Sequence, residues 1–376
     1  MSITLSEDHR LLVEAVRDFA RAELTPRDVQ WDRTETSCCT ELPQLAEMGL
    51  LGLRVPEEFG GLDIPPVCYA HIIRELAYAS PSVAVTIAVH SMVCEIVGQF
   101  AAESVRGELL TQLARPGNLS AFAISEADAG SDPGSAKTRA ESVTDGYRLN
   151  GTKMWVTNGL TGRWFAVLVR TGPDELSMVM LDAQSPGVER RSIPGKMGIR
   201  GSETAEMSLE DVFVPRANLL GRPGWGLRIA LTALDGGRIG IAAQALGIAS
   251  ACVDLMVDYA RQRVQFRQPL ASFQAIQWMI ADSQVELLAA QQLTDRAAWL
   301  KQEGRPYTRA ASMAKLYASE AANRIAYRAV QVHGGYGYVN EFRVEQLYRD
   351  ARVTSIYEGT SEVQRIVIAR ELLQQT

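Results

Sequence analysis

Two changes of periodicity divide this chain and limit the folds open to it. Up to about residue 120 the apolar residues recur at helical spacing. Leu11, Leu12, Ala15, Val16, Phe19 and Ala20 form one such stripe, with Pro26 following its end. Residues 41–49 predict a short helix, Gly60-Gly61 and Pro65-Pro66 a loop, and 67–79, 83–100 and a run ending at 113 further helices. From about Ala121 to Asn218 the pattern becomes short alternating segments, such as 147–149, 154–157, 165–169, 178–181 and 206–209. They are bounded by Gly, Asn, Asp and Pro, as antiparallel strands and turns are. After the loop 221–226, three alanine- and leucine-rich runs at 226–263, 271–303 and 306–332 exceed ordinary globular helix lengths and predict a bundle of long antiparallel helices. The expected class is α+β in three parts. A helical domain at 1–120 precedes an antiparallel β-domain at 121–222 and a C-terminal four-helix bundle at 223–376.

Composition removes several functions. A net charge of −6, with no basic tail, argues against a nucleic-acid binder. Five cysteines at no regular spacing and four histidines suggest neither a disulfide framework nor a metal site. The N-terminus lacks a signal-peptide pattern and no apolar run is read as long enough to cross a bilayer, so a cytoplasmic protein without membrane contact is expected.

Four segments carry chemistry. Ile356-Tyr357-Glu358-Gly359-Thr360 places a carboxylate at a glycine-flanked bend, before a helix whose start has the capping-box form Ser361-x-x-Gln364. Glu358 would lie beside free backbone N–H groups, where a general base could approach a substrate. On the pentapeptide alone a surface glutamate is the better reading. Residues 123–132, with Ser125, Glu126, Gly130, Ser131 and Asp132, form a strand-to-loop segment rich in glycine and hydroxyls, suited to an oxygen-rich ligand or to a plain turn. In 151–159, Trp155 and Thr157 are two apart in a strand and face one side, as a site for a flat heterocycle or as core packing. The fourth is Gln331-Val332-His333-Gly334-Gly335-Tyr336-Gly337-Tyr338.

Together, in this order and over nearly the full length, these segments resemble the acyl-CoA dehydrogenase family. The resemblance implies FAD, an acyl-CoA substrate, a homotetramer, electron-transfer flavoprotein as electron acceptor, and a role in fatty acid or amino acid catabolism. It also implies that Gly334-Gly335-x-Gly337 is no Rossmann fingerprint, since no strand precedes it. Phe122, Ile124, Ser125, Gly130 and Ser131 match the flavin-lining segment, Ser131 also reaching the substrate. Trp155, Val156 and Thr157 match the residues beside the isoalloxazine ring. Arg263, Phe266 and Gln274, and the turn Gln331, Val332, His333, Gly334 and Gly335, match contacts to the cofactor across a subunit interface. Thr360, Ser361 and Glu362 match the helix start near its phosphates and adenosine. Asp235, Gly236, Gly237 and Arg238, with Tyr357 and Gly359, match the residues around the thioester, and Glu358 matches the catalytic base.

The implied reaction removes an α-proton with a carboxylate of raised proton affinity and passes a β-hydride to flavin N5, leaving a trans-2-enoyl thioester. Asp235, on an earlier helix, is the rival base. The same chemistry on a carrier-protein thioester, an oxidase, and a non-dehydrogenating flavoprotein binding module are the alternatives. Arg267 stands where the family commonly has Gly, and Gln346 where a basic residue is usual. Residues 83–88 lack the arginine of dicarboxylyl-CoA members, which disfavours a glutaryl-type substrate, and the run 236–240 resembles short- and branched-chain members. Trp278, Met279 and Trp299 are expected in the bundle core.

Overall fold

The computed structural model describes residues 5–373; the N-terminal Met1 to Thr4 lie outside them. The helical third comprises α1 (Glu7–Phe19), α2 (Thr25–Thr34), α3 (Leu42–Glu47), α4 (Pro66–Ala79), α5 (Pro81–Phe100) and α6 (Glu103–Leu113). Pro26 does not end the first helix as expected. A π-helical turn, Ala20–Leu24, carries the chain directly into α2, where Pro26 sits in the first turn and forfeits no hydrogen bond.

The β-region contains β1 (Ser120–Ala123), β2 (Arg139–Val143), β3 (Gly146–Thr157), β4 (Trp164–Gly172), β5 (Glu175–Asp182), β6 (Val188–Ser192), β7 (Thr204–Pro215) and β8 (Leu219–Leu220). The two segments read at 147–149 and 154–157 are one strand, β3, bent by irregularities against β7. Strand order is β6-β7-β3-β2-β4-β5-β8. Pairing is antiparallel except where β1, and one residue pair of β2, lie parallel to β4.

The bundle follows: α7 (Gly226–Gln262), a small hairpin of β9 (Val264–Gln265) and β10 (Gln268–Pro269), then α8 (Gln274–Gln302), α9 (Thr308–His333), α10 (Arg343–Val353) and α11 (Ser361–Leu373). By length and composition α5 and α7 could each cross a membrane, which the sequence reading did not register. However, 78% and 83% of their apolar windows are buried inside the fold, so they are core helices.

One continuous apolar core joins the two helical parts, with Val16, Leu24, Ile72 and Leu76 packed among Ile248, Ala298, Ala322 and Leu347. The sheet has a core of its own, around Phe165, Val179 and Met207. A third cluster, including Val85, Met92, Val93, Met178, Ile229 and Ile241, fills the space between sheet and helices. Phe122, Ile124 and Tyr357 pack against it, so two of the chemistry-bearing segments converge on this seam.

Candidate active site

Glu358 lies in the bend between α10 and α11. It and Gly359 are both left-handed, with φ of 53° and 87°. A glutamate in that region is strained by about 1 kcal/mol or more, so the surroundings must impose it. Three ties do so. Lys315, wholly buried on α9, donates from Nζ to the Gly359 carbonyl at 2.7 Å. Gln364, in the first turn of α11, donates from Nε2 to the carbonyls of Glu358 and Gly359 at 3.1 and 2.9 Å. The Tyr357 hydroxyl donates to Gln244 Oε1 on α7, and Gln244 Nε2 donates to the Pro81 carbonyl of α5 at 2.8 Å. The helix cap is Thr360, one residue before the expected Ser361: the Val363 N–H donates to Thr360 Oγ1 at 3.3 Å, while Ser361 donates to Glu320.

The bend aims the Glu358 carboxyl at α7. Its Oε2 lies 2.6 Å from where a Cβ on Gly237 would be, so Gly237 is glycine because the carboxylate occupies that space. A Cβ on Gly236 would meet Lys301 Nζ at 2.9 Å and Glu95 Oε2 at 3.2 Å. Oε2 of Glu358 is shielded from water and has no hydrogen-bond partner among the described residues. Burial raises the Glu358 carboxyl to about 7, against the pull of Arg238 and Lys315, which favour its ionised form. Burial likewise lowers Lys315 to about 8, with Glu358 opposing. Asp235, the rival base, is engaged elsewhere: its Oδ1 accepts from Arg238 and its Oδ2 from Thr308 Oγ1 at 2.6 Å.

Trp155 marks a second centre. β3 slips register against β7 between Lys153 and Val156, and Trp155 adopts φ 61° there, a genuine outlier for so large a residue. The bulge turns the indole outward, leaving it 60% exposed beside Thr157. Two residues earlier, the buried Lys153 donates from Nζ to Glu126 Oε1 at 2.7 Å. Glu126 also accepts from the N–H groups of Lys137 and Thr138 and from the Thr138 hydroxyl. Despite burial, which would raise it, these donors bring Glu126 down to about 2. The Met154 N–H donates to the Ser125 carbonyl at 2.9 Å, stitching the strand to the segment carrying Ile124 and Ser125. Asn158 (φ 63°) closes the far side, its buried Nδ2 donating to the carbonyls of Thr86 and Ser120. Gly130 and Ser131 are exposed on the adjoining loop. A bare indole held by strain beside a hydroxyl fits the flat ring and polar edge of a flavin.

Arg263, Phe266, Gln274 and Gln331–Gly335 gather elsewhere, at the C-terminal ends of α7 and α9. Phe266 and Arg267 are the two left-handed residues of the β9–β10 turn, and Phe266 is 88% exposed. Arg267 adopts φ 64° where glycine would be unstrained, and it does so without altering the hairpin. The Arg263 guanidinium lies 5.2 Å from the Tyr336 ring centroid, and His333 stacks on Tyr259 at 4.1 Å. Gln346, the other departure, is buried and donates to Asp28 at 2.7 Å. Trp278 is not core; it is 63% exposed on α8.

Sequence reasoning missed Lys315, Gln244, Asn158 and the trio Arg54, Glu95 and Lys301. Lys315 left one legible signal, a cation within the apolar stripe Ala311, Ala314, Ala318 and Ala322.

Family models for the N-terminal, middle and C-terminal domains of acyl-CoA dehydrogenase match residues 6–116, 121–212 and 224–373. The chain is 42% identical, over the full length of both, to a protein named probable acyl-CoA dehydrogenase YngJ of Bacillus subtilis. It is 41% identical to the mitochondrial short-chain specific acyl-CoA dehydrogenase of Mus musculus, covering 99% of this chain and 92% of that one. The solved butyryl-CoA dehydrogenase of Megasphaera elsdenii superposes with a TM-score of 0.97 at 36% identity, with full coverage of both chains. The strained carboxylate bend, the bare indole and the α–β–α order thus define a flavin-dependent oxidoreductase. This chain belongs to the acyl-CoA dehydrogenase family, acts on acyl-CoA, and takes FAD as its cofactor.

Proposed function

We propose that the enzyme oxidises a short-chain acyl-CoA, with Glu358 as the base that removes the α-proton. The observation carrying this is the buried, unpartnered Oε2 of Glu358, raised to about 7 and facing the glycine-cleared face of α7. A carboxylate tuned near neutral pH accepts a weakly acidic proton while still being ionised in a useful fraction. Arg238 and Lys315 hold enough positive charge nearby to keep it available. Bound FAD supplies the acceptor for the β-hydride. Trp155 and Thr157, with Phe122, Ile124, Ser125, Gly130, Ser131 and Thr360 to Glu362, hold that cofactor against the seam. Arg263, Phe266, Gln274 and Gln331 to Gly335 serve the cofactor of a neighbouring subunit in a homotetramer. The apolar side chains left bare at Phe266, Trp278, Val285, Leu288 and Ile366 support such an assembly. Electron-transfer flavoprotein reoxidises the enzyme.

Anaerobic titration of the FAD-loaded enzyme with saturated acyl-CoAs of increasing length tests this reading. Bleaching of the oxidised flavin band by short acyl chains is expected, and Glu358→Gln retains FAD and binds thioester while bleaching is nearly abolished. Wild-type bleaching in that variant would move the base elsewhere, Asp235 first. No bleaching with any CoA ester would move the substrate to a carrier-protein thioester.

A further inference from the structure

The face of α7 that receives Glu358 runs between two unlike ends. Beside Gly236 lie Arg54, Glu95 and Lys301. Glu95 Oε1 accepts from Arg54 Nε at 2.6 Å and its Oε2 from Lys301 Nζ at 2.6 Å. All three side chains are partly exposed. One turn the other way along α7, Gly240 faces α4 and α5. A Cβ there would meet the Tyr69 hydroxyl at 3.2 Å, the Ala88 Cβ at 3.5 Å and the Tyr69 ring at 4.0 Å. Gly240, Ala88 and Tyr69 are all buried. Between the ends, Met92 Sδ lies 3.1 Å from the Cβ position on Gly237, next to the Glu358 carboxyl.

Elementary solvation orients a thioester laid along such a face. The polar pantetheine arm leaves through the wet, ion-lined end, and the apolar acyl chain enters the dry one. A thioether such as Met92 is flexible enough to yield to an entering chain. A phenol ring locked between three helices is not.

Resting on the dehydrogenase reading above, we infer that the acyl chain lies along this face, that Tyr69 closes its dry end, and that this residue sets the length of chain the enzyme accepts. From Gly237, level with the Glu358 carboxyl, to Gly240, level with the phenol, is three residues of α7, or about 4.5 Å of rise. That leaves room for roughly two or three carbons beyond the α-carbon, which is a butyryl or pentanoyl group. Longer chains collide with the ring, and Gly240 opposite it already presents only backbone. Burial raises the Tyr69 hydroxyl well above its ordinary value, consistent with a dry end wall.

The test is kcat/KM for butyryl-, hexanoyl- and octanoyl-CoA on the FAD-loaded enzyme, because one methylene of misfit in an apolar pocket is worth about 10- to 200-fold. Wild type is expected to fall at least tenfold from butyryl to octanoyl. Tyr69→Ala raises the octanoyl-to-butyryl ratio at least tenfold, whereas Tyr69→Phe, which keeps the ring, leaves that ratio within about threefold of wild type. A Tyr69→Ala ratio equal to that of wild type overturns the inference. If Tyr69→Ala does not fold, Gly240→Ala decides: a methyl added at the same point lowers the hexanoyl-to-butyryl ratio at least fivefold, and an unchanged ratio overturns the inference. Failure of every acyl-CoA to reduce the wild-type flavin is a different result, which removes the acyl-CoA reading on which the inference rests and moves the substrate to a carrier-protein thioester.

Discussion

Replacing Glu358 by Gln should make the protein more stable, by an amount that grows as pH rises from 4.5 to about 7. The carboxyl moves from 4.5 to about 7 on folding, because burial disfavours its charged form by more than Arg238 and Lys315 restore. At about 1.36 kcal/mol for each tenfold change, the shift corresponds to about 3 kcal/mol. The sign follows from proton linkage. The folded protein holds this proton more tightly than the unfolded chain, so below pH 4.5 both states are protonated and the carboxyl costs nothing. Between 4.5 and 7 stability declines, and above 7 the whole penalty is present. Glutamine cannot ionise and escapes the penalty. Lys315, which Glu358 supports in its charged form, loses that support in the variant, so about 3 kcal/mol is an upper bound. For 376 residues, with unfolding entropy near 2.1 cal/mol/K per residue, this is a rise of up to about 4 °C. The assay is thermal unfolding of FAD-loaded wild type and variant at matched concentrations, from pH 5 to pH 8.5. The gap should open as pH rises. A gap that stays constant, or closes towards alkaline pH, would refute the account of Glu358 as a base poised by desolvation.

Gly237→Ala puts a methyl 2.6 Å from Glu358 Oε2 and must push the carboxylate aside. We expect retained FAD and at least about a hundredfold slower flavin bleaching in stopped flow. Gly236→Ala meets the mobile end of Lys301 instead and should cost far less, so equal losses would show that the carboxylate position is not what matters. On α8, Trp278→Glu should lower the assembly state measured by light scattering, because it charges an exposed apolar stripe shared with Val285 and Leu288. An unchanged mass would place the subunit contact elsewhere.

Most elements were legible because their periodicities are long and unmixed. α5, α7 and α9 follow from apolar spacing and terminal Gly or Pro, β7 from its alternation, and β5 from a short apolar run. What escaped depends on contacts distant in sequence. Pro26 looks like a stop, and only packing against α4 shows that a π-turn carries the helix through it. Trp278 repeats at helical spacing like any core residue, but among the described residues it stays 63% exposed on its face of α8. The bend at Glu358 announces itself through Gly359, yet the buried lysine that holds it lies 44 residues away along the chain. Tyr69 is one of two tyrosines on α4 until Gly240 is seen beneath it.

The shared core of the first and last thirds has a consequence for the order in which the molecule can be made. Val13 and Val16 pack in the same apolar cluster as Leu347 and Ala351, whereas the sheet closes on a core drawn from its own strands. During synthesis the sheet can therefore settle as soon as it emerges, while α1 to α4 must wait for partners still unmade. At about 5–20 residues per second the delay between Val16 and Ala351 is about 20 to 70 seconds. Through that interval the apolar faces of the first helices have only part of their native cover. The growing chain thus depends on whatever shields nascent polypeptides far more at its beginning than in its middle.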